Sequence, residues 1–531
     1  MQLGAAITKA LRDFGVNELF GIPGDFILPL LQQLQQQPDA LPFYYLTHEP
    51  AAVYAADAAA RCANRPAAVA LTYGAGALNG VNAVAQAYEE YVPLVIFAGY
   101  PSRNEVASGL QIHHQAKTID SQRRIYTEIT CLQVRLDNAE TATQVLYEAL
   151  QTCKEQSRPV LIEVPRDAVD LDIVPRASYA AAAKVPVSVH EEDYQRLVVA
   201  LSTARRPVIL SGVNVRRSGA QHAVECLAEQ FNIPLVTSLL GRASINPNHS
   251  CYGGVFCGAT DTLAYQLLNN ADVIIALGVI YTDSNFSAHR SLISSPHFYR
   301  IDFPEQSLKS WCSRLASEPL PLFETRSLNQ PELQPDTTFS TDAVVQEIHR
   351  QLSQQSTIVP IVSDVGDCLF ASLRASPTDF LAPAYYASMG YSIPAALGVY
   401  VTTQRRPVVL VGDGAFLMTG LELGQCLRYG CLPIIVLINN QRWDMIEAFA
   451  PKLNCTKLHH WQYTSIATSM GIESVRVHDH PSFAKAFAKA WAEPDQAHLI
   501  DVWMPEKSRS AKLSKFAETL TSINKTNSIE V

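Results

Sequence analysis

Residues 407–447 contain two short apolar runs that flank a helical segment. The first run, VVLV at 408–411, ends on a Gly-Asp-Gly turn, and the second, LPIIVLI at 432–438, ends on two asparagines. Short apolar runs on either side of a helix predict a βαβ unit, in which two parallel strands end at the same edge of a sheet. Open α/β sheets bind ligands at that edge. The segment therefore indicates a parallel-sheet fold and a binding site together.

The polar residues that end the two runs suit a magnesium ion bound with a diphosphate. Asp413 and Asn440 are far apart in the sequence, but the expected fold brings their side-chain oxygens together. A carboxylate, an amide oxygen and a nearby main-chain carbonyl suit Mg²⁺, which completes its shell with phosphate and water. Gly412 and Gly414 would let backbone approach a diphosphate, and the next helix would offer it free N–H groups. The alternative is an ordinary turn beside a buried asparagine pair.

The rest of the chain alternates helices and strands and predicts two further domains. Residues 176–190 and about 313–340 break the pattern, and we interpret both as linkers. We expect an α/β fold with three doubly wound parallel-sheet domains, at 1–175, 191–312 and 341–531. A first helix is expected at about 3–14 and another opens at Glu49-Pro50, with Pro at a preferred first-turn position. The expected strands are 43–46, 67–71, 92–98, 207–210, 234–237, 273–277, 358–363, 407–412, 432–439 and 498–503.

Composition excludes several classes of protein. The chain of 531 residues is 48% hydrophobic and 17% charged, which is typical of a globular protein rather than a disordered one. A net charge of −9 without a basic run argues against nucleic acid, and no apolar run approaches a membrane span. The eleven cysteines form no CxxC pair, and the N-terminus lacks a signal-peptide core. We expect a soluble, cytoplasmic enzyme.

Five motifs are spread along the chain: GIPGDF at 21–26, THEPAAVYAADAAAR at 47–61, TYGAGALNG at 72–80, HHQAKTID at 113–120 and NNQRWDMIE at 439–447. Together with the Gly-Asp-Gly turn, and in this order, they resemble the thiamine diphosphate-dependent 2-oxo acid decarboxylases, which have a pyrimidine-binding domain, a central domain and a diphosphate-binding domain. The likeness covers essentially the whole chain and is greatest for the phenylpyruvate and indolepyruvate decarboxylases.

The resemblance implies a set of residues that bind the cofactor. Glu49 matches the glutamate that hydrogen-bonds the aminopyrimidine ring, which helps the ring take the weakly acidic thiazolium C2 proton. By itself, a glutamate at a helix start more often complements the helix dipole. Met389 matches the apolar residue that supports the bent cofactor, although a methionine is usually core filler. The diphosphate is expected at Gly412, Asp413, Gly414, Ala415 and Asn440, and Mg²⁺ at Asp413, Asn440 and the main-chain carbonyl of Arg442, whose side chain, unlike the small residue usual in relatives, must point outward.

A second implied set transfers protons. His113 and His114 match the paired histidines of the decarboxylases, and histidine titrates nearest the working pH. Asp25 and Glu447 match two acids that cooperate with them, and paired acids in different environments can divide the acid and base roles. Without the resemblance, the histidines would be polar loop residues, Asp25 a turn residue and Glu447 a solvated helix residue.

The implied reaction converts a 2-oxo acid to an aldehyde and CO₂, with an aromatic acid such as phenylpyruvate or indolepyruvate favoured. Trp443 would wall a large pocket or be structural, and Asp283 lies on a loop near the pocket without a catalytic step. In this family each site combines a residue matching Glu49 of one subunit with residues matching Asp413 and Asn440 of another. We therefore expect a homodimer as the smallest unit and a homotetramer as the full assembly.

Four alternatives remain open. They are a branched-chain or pyruvate decarboxylase, a flavin-free carboligase, a nicotinamide dehydrogenase and a non-catalytic paralogue. The histidine pair argues against a carboligase, and Asn79 breaks the glycine fingerprint that a nicotinamide site requires.

Overall fold

The computed structural model describes residues 1–174, 189–258, 262–286, 290–304, 306–324, 328, 339–355, 357–374, 379–505 and 508–527. Within these ranges the chain forms three sheets, and every pair of neighbouring strands in them is parallel. This confirms the expected α/β fold. All but the last two residues of the expected linker 176–190 lie outside the described residues, as does much of 325–338.

The first sheet has the strand order β2-β1-β3-β4-β6-β5 within the described residues. Its central strands are buried along their whole length because helices cover both faces, which explains their mostly apolar sequences. Its strands are β1 (Leu19–Gly21), β2 (Phe43–Tyr45), β3 (Ala67–Leu71), β4 (Leu94–Tyr100), β5 (Leu132–Arg135) and β6 (Val160–Pro165).

The second and third sheets have the orders β11-β10-β7-β8-β9 and β13-β12-β14-β15-β17-β16 in the described part of the chain. Strands β14 and β15 are parallel neighbours, with Gly412 opposite Ile438, so the βαβ unit expected at 407–447 is confirmed. The strands are β7 (Pro207–Ser211), β8 (Leu235–Ser238), β9 (Tyr252–Phe256), β10 (Val273–Leu277), β11 (Phe298–Ile301), β12 (Ile361–Ser363), β13 (Phe380–Leu381), β14 (Val408–Gly412), β15 (Ile434–Asn439), β16 (Glu473–Val477) and β17 (His498–Trp503).

The α-helices follow the strands in the expected alternation. The helix at 308–316 continues past residue 312, where we had placed the start of the second linker. The helices are α1 (Leu3–Asp13), α2 (Leu28–Gln35), α3 (Glu49–Ala63), α4 (Ala75–Asn79), α5 (Val81–Glu89), α6 (Arg103–Ala107), α7 (Ser121–Tyr126), α8 (Ala142–Gln156), α9 (Glu191–Thr203), α10 (Val213–Arg217), α11 (Gln221–Phe231), α12 (Thr262–Asn269), α13 (Asp283–Phe286), α14 (Arg290–Ile293), α15 (Leu308–Ala316), α16 (Thr341–Leu352), α17 (Asp367–Ala371), α18 (Ser392–Thr403), α19 (Asp413–Thr419), α20 (Leu423–Arg428), α21 (Asp444–Phe449), α22 (Tyr463–Ser469), α23 (His480–Ala492) and α24 (Ala511–Asn527). Within the described ranges, no helix combines the length and apolarity that crossing a membrane requires.

The described residues group into two compact units. The first unit holds the first sheet together with 386–407 and 419–432, and the second unit holds the other two sheets. Helix α18 therefore belongs to the first unit, where it packs against α3. The two helices touch at Gly398, where an added Cβ would lie 1.9 Å from the carbonyl oxygen of Ala55.

We expect Gly398→Ala to lower the free energy of unfolding by about 1–3 kcal/mol, because its methyl group would meet backbone that cannot give way without moving α3. Gly424→Ala, in α20, is the matched control, since no described atom lies within 4 Å of its added Cβ. That control should be neutral or stabilising by up to about 1 kcal/mol. Urea unfolding of both variants tests this, and equal stability of the two would contradict the tight α3–α18 contact.

Candidate active site

The carboxyl edge of the first sheet carries a group of polar residues, some of them expected from the sequence and some not. Asp25 follows β1, Glu49 follows β2 and opens α3, Thr72 follows β3, and Arg166 follows β6. Parallel strands end at one edge, so residues distant in the sequence meet there. His113 and His114 lie in the segment after β4 and join them.

Asp25 is the centre of this cluster. Its Oδ2 lies 2.6 Å from Nε2 of His113, and its Oδ1 lies 3.9 Å from Nδ1 of His114. An ionised carboxylate can only accept, so in the short contact His113 donates its N–H. The ring of Phe26 lies 4.8 Å from that of His113 and supports it from one side. The structure thus brings three of the expected residues together.

Arg166 contacts the same carboxylate, with Nη2 3.3 Å from Oδ2 of Asp25. Burial acts to raise the pKa of Asp25, but the His113 hydrogen bond and the charges of His113, Arg166 and His114 outweigh it and lower that pKa. The carboxylate and two imidazoles bring three potential metal-ligand atoms within 4.8 Å of one another. We assign no metal to them, because the guanidinium already neutralises the carboxylate and would repel a second cation.

The backbone at Gly74 fixes the position of the histidine pair. Gly74 has a φ of +59°, and an added Cβ would lie 1.9 Å from the carbonyl oxygen of His114, which itself has a φ of +67°. The main-chain N–H of Gly74 donates to Oε1 of the buried Gln122 over 2.8 Å. Only glycine therefore fits this point of the TYGAGALNG motif.

Glu49 lies at the first position of α3, as expected. Asn79 donates from Nδ2 to Oε2 of Glu49 over 2.6 Å. Asn79, which breaks a nicotinamide fingerprint, is thus a direct partner of the glutamate. The carboxylate also lies in the first turn of α3, so the helix-dipole interpretation describes its location but leaves the bond to Asn79 unexplained.

Met389 lies in the first unit, with 40% of its surface exposed. Buried side chains from α3, from α5 and from the residue after α5 hold the loop around it. Glu90 accepts from the N–H of Tyr386 at 2.9 Å, and Gln86 accepts from the N–H of Ser388 at 3.2 Å. The hydroxyl of Tyr391 donates to Asp57 over 2.7 Å. The methionine is therefore an exposed residue on a fixed loop and not core filler.

The second half of the expected site lies in the other unit, at the carboxyl ends of β14 and β15. Asp413 begins α19 and is 2% exposed. Its Oδ2 accepts from the N–H of Gln441 at 2.6 Å, and its Oδ1 accepts from the N–H of Gly414 at 2.9 Å. The loop that carries Asn440 is thereby bonded directly to the Gly-Asp-Gly turn.

The environment of Asp413 fits a bound cation. Burial raises its pKa to about 7, the nearby charge of Asp501 adds to the rise, and hydrogen bonds from the backbone of Gln441 and Gly414 oppose it. A buried carboxylate of this kind gains from a cation that replaces its proton. An added Cβ on Gly412 would meet no described atom within 4 Å, which leaves room at the turn for a ligand. Ala415 follows it, buried, in the first turn of α19.

A neighbouring side chain occupies the space beside Gly414. An added Cβ would lie 2.3 Å from the indole ring of Trp443, so this glycine makes room for the tryptophan. The main-chain N–H of Trp443 also donates to the main-chain carbonyl of Thr456 at 2.7 Å. This favours the structural interpretation of Trp443.

The side chain of Arg442 does not point outward, and that expectation was wrong. It is 17% exposed, and Nη1 lies 2.9 Å from both carboxylate oxygens of Glu447. Its Nε donates to the main-chain carbonyl of Asn440 at 3.2 Å. The main-chain N–H of Arg442 donates to Oδ1 of Asn440 at 3.3 Å. Arg509 approaches Glu447 within 3.6 Å. Glu447 is thus a paired residue and not a solvated one, because opposite charges on the same unit hold it.

Sequence reasoning missed Arg166, Arg509 and the role of Asn79 as a partner of Glu49. It also missed Thr72, whose hydroxyl donates to Oδ1 of Asp25 at 3.4 Å. Arg166 and Thr72 directly follow buried strands, so the rule that polar residues at strand ends meet would have found them. Arg509 offers no such signal, because its place beside Asp444, at 2.9 Å, depends on how α24 returns to α21. Asp283 is exposed, and its Oδ1 accepts from the N–H of the adjacent Ser284.

Comparisons with known proteins agree with this arrangement. Three sequence-family models match: the N-terminal TPP binding domain of thiamine pyrophosphate enzymes at 1–123, their central domain at 194–309 and their C-terminal TPP binding domain at 364–502. The chain is thus a thiamine pyrophosphate, or thiamine diphosphate, enzyme.

Curated relatives narrow the class further. The chain is 33% identical to indole-3-pyruvate decarboxylase of Azospirillum brasilense, over 98% of each. It is 27% identical to alpha-keto-acid decarboxylase of Mycobacterium leprae, over 95% of this chain and 93% of that protein. It is 25% identical to pyruvate decarboxylase 1 of Pisum sativum, over 98% and 93%. The chain belongs to the thiamine diphosphate-dependent 2-oxo acid decarboxylases.

Proposed function

We propose that this enzyme removes CO₂ from a 2-oxo acid without oxidation and releases the aldehyde, with an aromatic acid such as phenylpyruvate or indolepyruvate preferred. The observation that carries the proposal is the cluster of Asp25, His113 and His114 at the carboxyl edge of the first sheet. Decarboxylation to an aldehyde needs a proton delivered where CO₂ has left, and imidazoles paired with a carboxylate can deliver it near neutral pH.

Glu49 is proposed to activate the cofactor. When bound, thiamine diphosphate supplies the electron sink for the electrons that departing CO₂ leaves behind. Glu49 would hold a proton at the aminopyrimidine ring, and Asn79 would keep its carboxyl group in place through the 2.6 Å bond. Met389 would support the cofactor from its fixed loop.

Asp413, Asn440 and the main-chain carbonyl of Arg442 are proposed to hold Mg²⁺, and the Gly412-to-Ala415 turn to hold the diphosphate. The buried, cation-suited carboxylate of Asp413 supports this, as does the backbone N–H supply at the start of α19. Glu447 is proposed as a further acid–base residue, and its contacts with Arg442 and Arg509 would orient it.

The most detailed part of the proposal is the size of the preferred 2-oxo acid. The name of the Azospirillum relative, indole-3-pyruvate decarboxylase, supports an aromatic acid, while the other relatives are named for pyruvate or for 2-oxo acids in general. One side chain at a pocket wall changes such a preference by about 1–3 kcal/mol.

We expect a kcat/KM at least about tenfold higher for phenylpyruvate and indolepyruvate than for pyruvate, with 4-methyl-2-oxopentanoate between them. An alcohol dehydrogenase-coupled aldehyde assay on purified protein with thiamine diphosphate and Mg²⁺ measures this. Equal or higher kcat/KM on pyruvate would overturn the aromatic preference and leave the reaction type unchanged.

We also propose that the enzyme works as a homodimer or homotetramer in the cytoplasm. The exposed apolar side chains that follow Asp413, among them Leu417, Met418 and Leu421, support an interface with a second copy. All eleven cysteines lie in described residues and none is in a disulfide, which supports a reducing compartment. The matched ranges fall within the proposed domains 1–175, 191–312 and 341–531.

A further inference from the structure

We infer that Arg166 is a positioning residue for the reaction, and that it acts by holding the Asp25 carboxylate in the orientation in which it accepts from His113. The inference rests on the proposed function, since it assigns Arg166 a part in the proton transfer of that same site. Neither the motifs nor the likeness to other decarboxylases singles out Arg166.

The guanidinium contacts Asp25 at two points. Its Nη2 donates to the main-chain carbonyl of Asp25 at 2.8 Å and lies 3.3 Å from Oδ2, the oxygen that also meets His113 at 2.6 Å. A planar group that bonds the backbone and the side chain of one residue fixes the side-chain torsion as well as the charge. The orientation of Asp25 is therefore set by the segment after β6.

Arg166 is itself held from two further directions. Its Nη1 lies 3.1 Å from Oε1 of Glu105, and its Cζ lies 4.3 Å above the ring of Phe26. Glu105 is fixed in turn, because its Oε2 accepts from the N–H and hydroxyl of Ser102 in the capping box of α6. The ring of Phe26 contacts both Arg166 and His113, so the same ring supports the cation and the imidazole.

The charges around Asp25 decide what loss of Arg166 would do. The charged and titratable groups that face Asp25 are His113 and His114, from the segment after β4, and Arg166, from the segment after β6. Burial favours the neutral carboxyl, and these three groups favour the carboxylate, so the pKa of Asp25 is lowered. Without Arg166 that pKa rises, and Asp25 becomes protonated at a higher pH.

The test compares Arg166→Met with Arg158→Met. Methionine keeps the length and apolar stem of arginine and removes its charge and fork. Arg158 is a matched control because its guanidinium also stacks on aromatic rings, 4.0 Å from that of Tyr88 and 4.3 Å from that of Tyr91. These two tyrosines do not belong to the cluster of Asp25, His113 and His114. Arg166→Lys is the second variant, which keeps the charge without the fork.

For Arg166→Met we expect kcat to fall about tenfold or more, with a smaller change in KM, because an oriented acid–base group contributes about 10²–10⁴-fold. We expect the acidic limb of its pH profile to move up by about one unit, as loss of an adjacent opposite charge requires. Arg166→Lys should keep the acidic limb near that of the wild type and still lose kcat. Arg158→Met should match the wild type in kcat and in pH profile.

A double variant separates positioning from general stability. In an Asp25→Asn background, Arg166→Met should change kcat by no more than about twofold, because residues that act through one group are not additive. Equal pH profiles for Arg166→Met and Arg158→Met, or additive losses in the double variant, would overturn the inference alone. A wild-type enzyme that releases no aldehyde from any 2-oxo acid would overturn the proposed function and this inference with it.

Discussion

Replacement of Glu49 by glutamine should lower kcat for decarboxylation by about 10²–10⁴-fold, the contribution of a well-placed acid–base group. The glutamine keeps the shape of the side chain and an oxygen that can accept from Nδ2 of Asn79, a bond of 2.6 Å in the wild type. It loses the proton that the carboxyl group would hold at the aminopyrimidine ring. The variant should therefore fold and retain binding of thiamine diphosphate, measured by calorimetry, while aldehyde release nearly stops.

Glu191→Gln is the control for the competing interpretation of Glu49. Glu191, like Glu49, is the first residue of a long helix, and its described partners are Arg314 and Gln195 on an exposed surface. If a glutamate at this position serves only the helix dipole, the two substitutions should have similar, small effects on stability and none on kcat. Near-wild-type kcat in Glu49→Gln would remove Glu49 from the catalytic residues.

Asp413→Asn should abolish Mg²⁺-dependent cofactor binding and remove a pH-dependent loss of stability from the apoprotein. The folded-state pKa of Asp413, about 7, lies above the model-compound value of 3.8. The contribution of Asp413 to the free energy of unfolding therefore falls as the pH rises from about 4 to 7, and it falls no further above about 7. The variant lacks that loss, but its amide group has one acceptor oxygen, so one of the two backbone N–H groups loses its acceptor at a cost of about 1–3 kcal/mol. The difference in unfolding free energy should move in favour of the variant by about 2–4 kcal/mol as the pH rises from 5 to 8.

Thermal and urea unfolding of the apoproteins between pH 5 and pH 8 measures the effect. The control is Asp57→Asn in α3, a fully buried carboxylate whose Oδ1 lies 2.6 Å from Nε of Arg61. Removal of one partner from such a buried pair costs about 3–5 kcal/mol. The control should therefore lose more stability at pH 8 than Asp413→Asn does. A loss of stability in Asp413→Asn that is constant with pH would contradict the cation-suited environment of Asp413.

Sequence patterns predicted much of the framework of this fold, because most central strands are short apolar runs that helices cover on both faces. The strands at 67–71, 273–277 and 498–503 begin and end where expected. Short, amphipathic or interrupted strands gave weaker signals. Strand β1 has three residues, β6 is interrupted by Glu163 and β16 alternates in burial, and none of the three was predicted.

The approximate positions of some site residues could also be predicted from the sequence. Asp25, Glu49 and Asp413 follow strands or open helices, so their approximate places follow from the topology. The direction in which a side chain points does not, since it depends on neighbours that come from elsewhere in the chain. Arg442 illustrates this, because the position of Glu447 on α21 turns its side chain inward. Gly414 is another case, since the ring of Trp443 occupies the space beside it.

The most direct test of the proposed reaction is a product balance on purified enzyme supplied with phenylpyruvate, thiamine diphosphate and Mg²⁺. We expect one CO₂ and one phenylacetaldehyde for each acid consumed, none of either without the cofactor, and almost none from Glu49→Gln. Release of CO₂ without aldehyde, with a coupled carbon–carbon product in its place, would contradict simple decarboxylation and identify a carboligase.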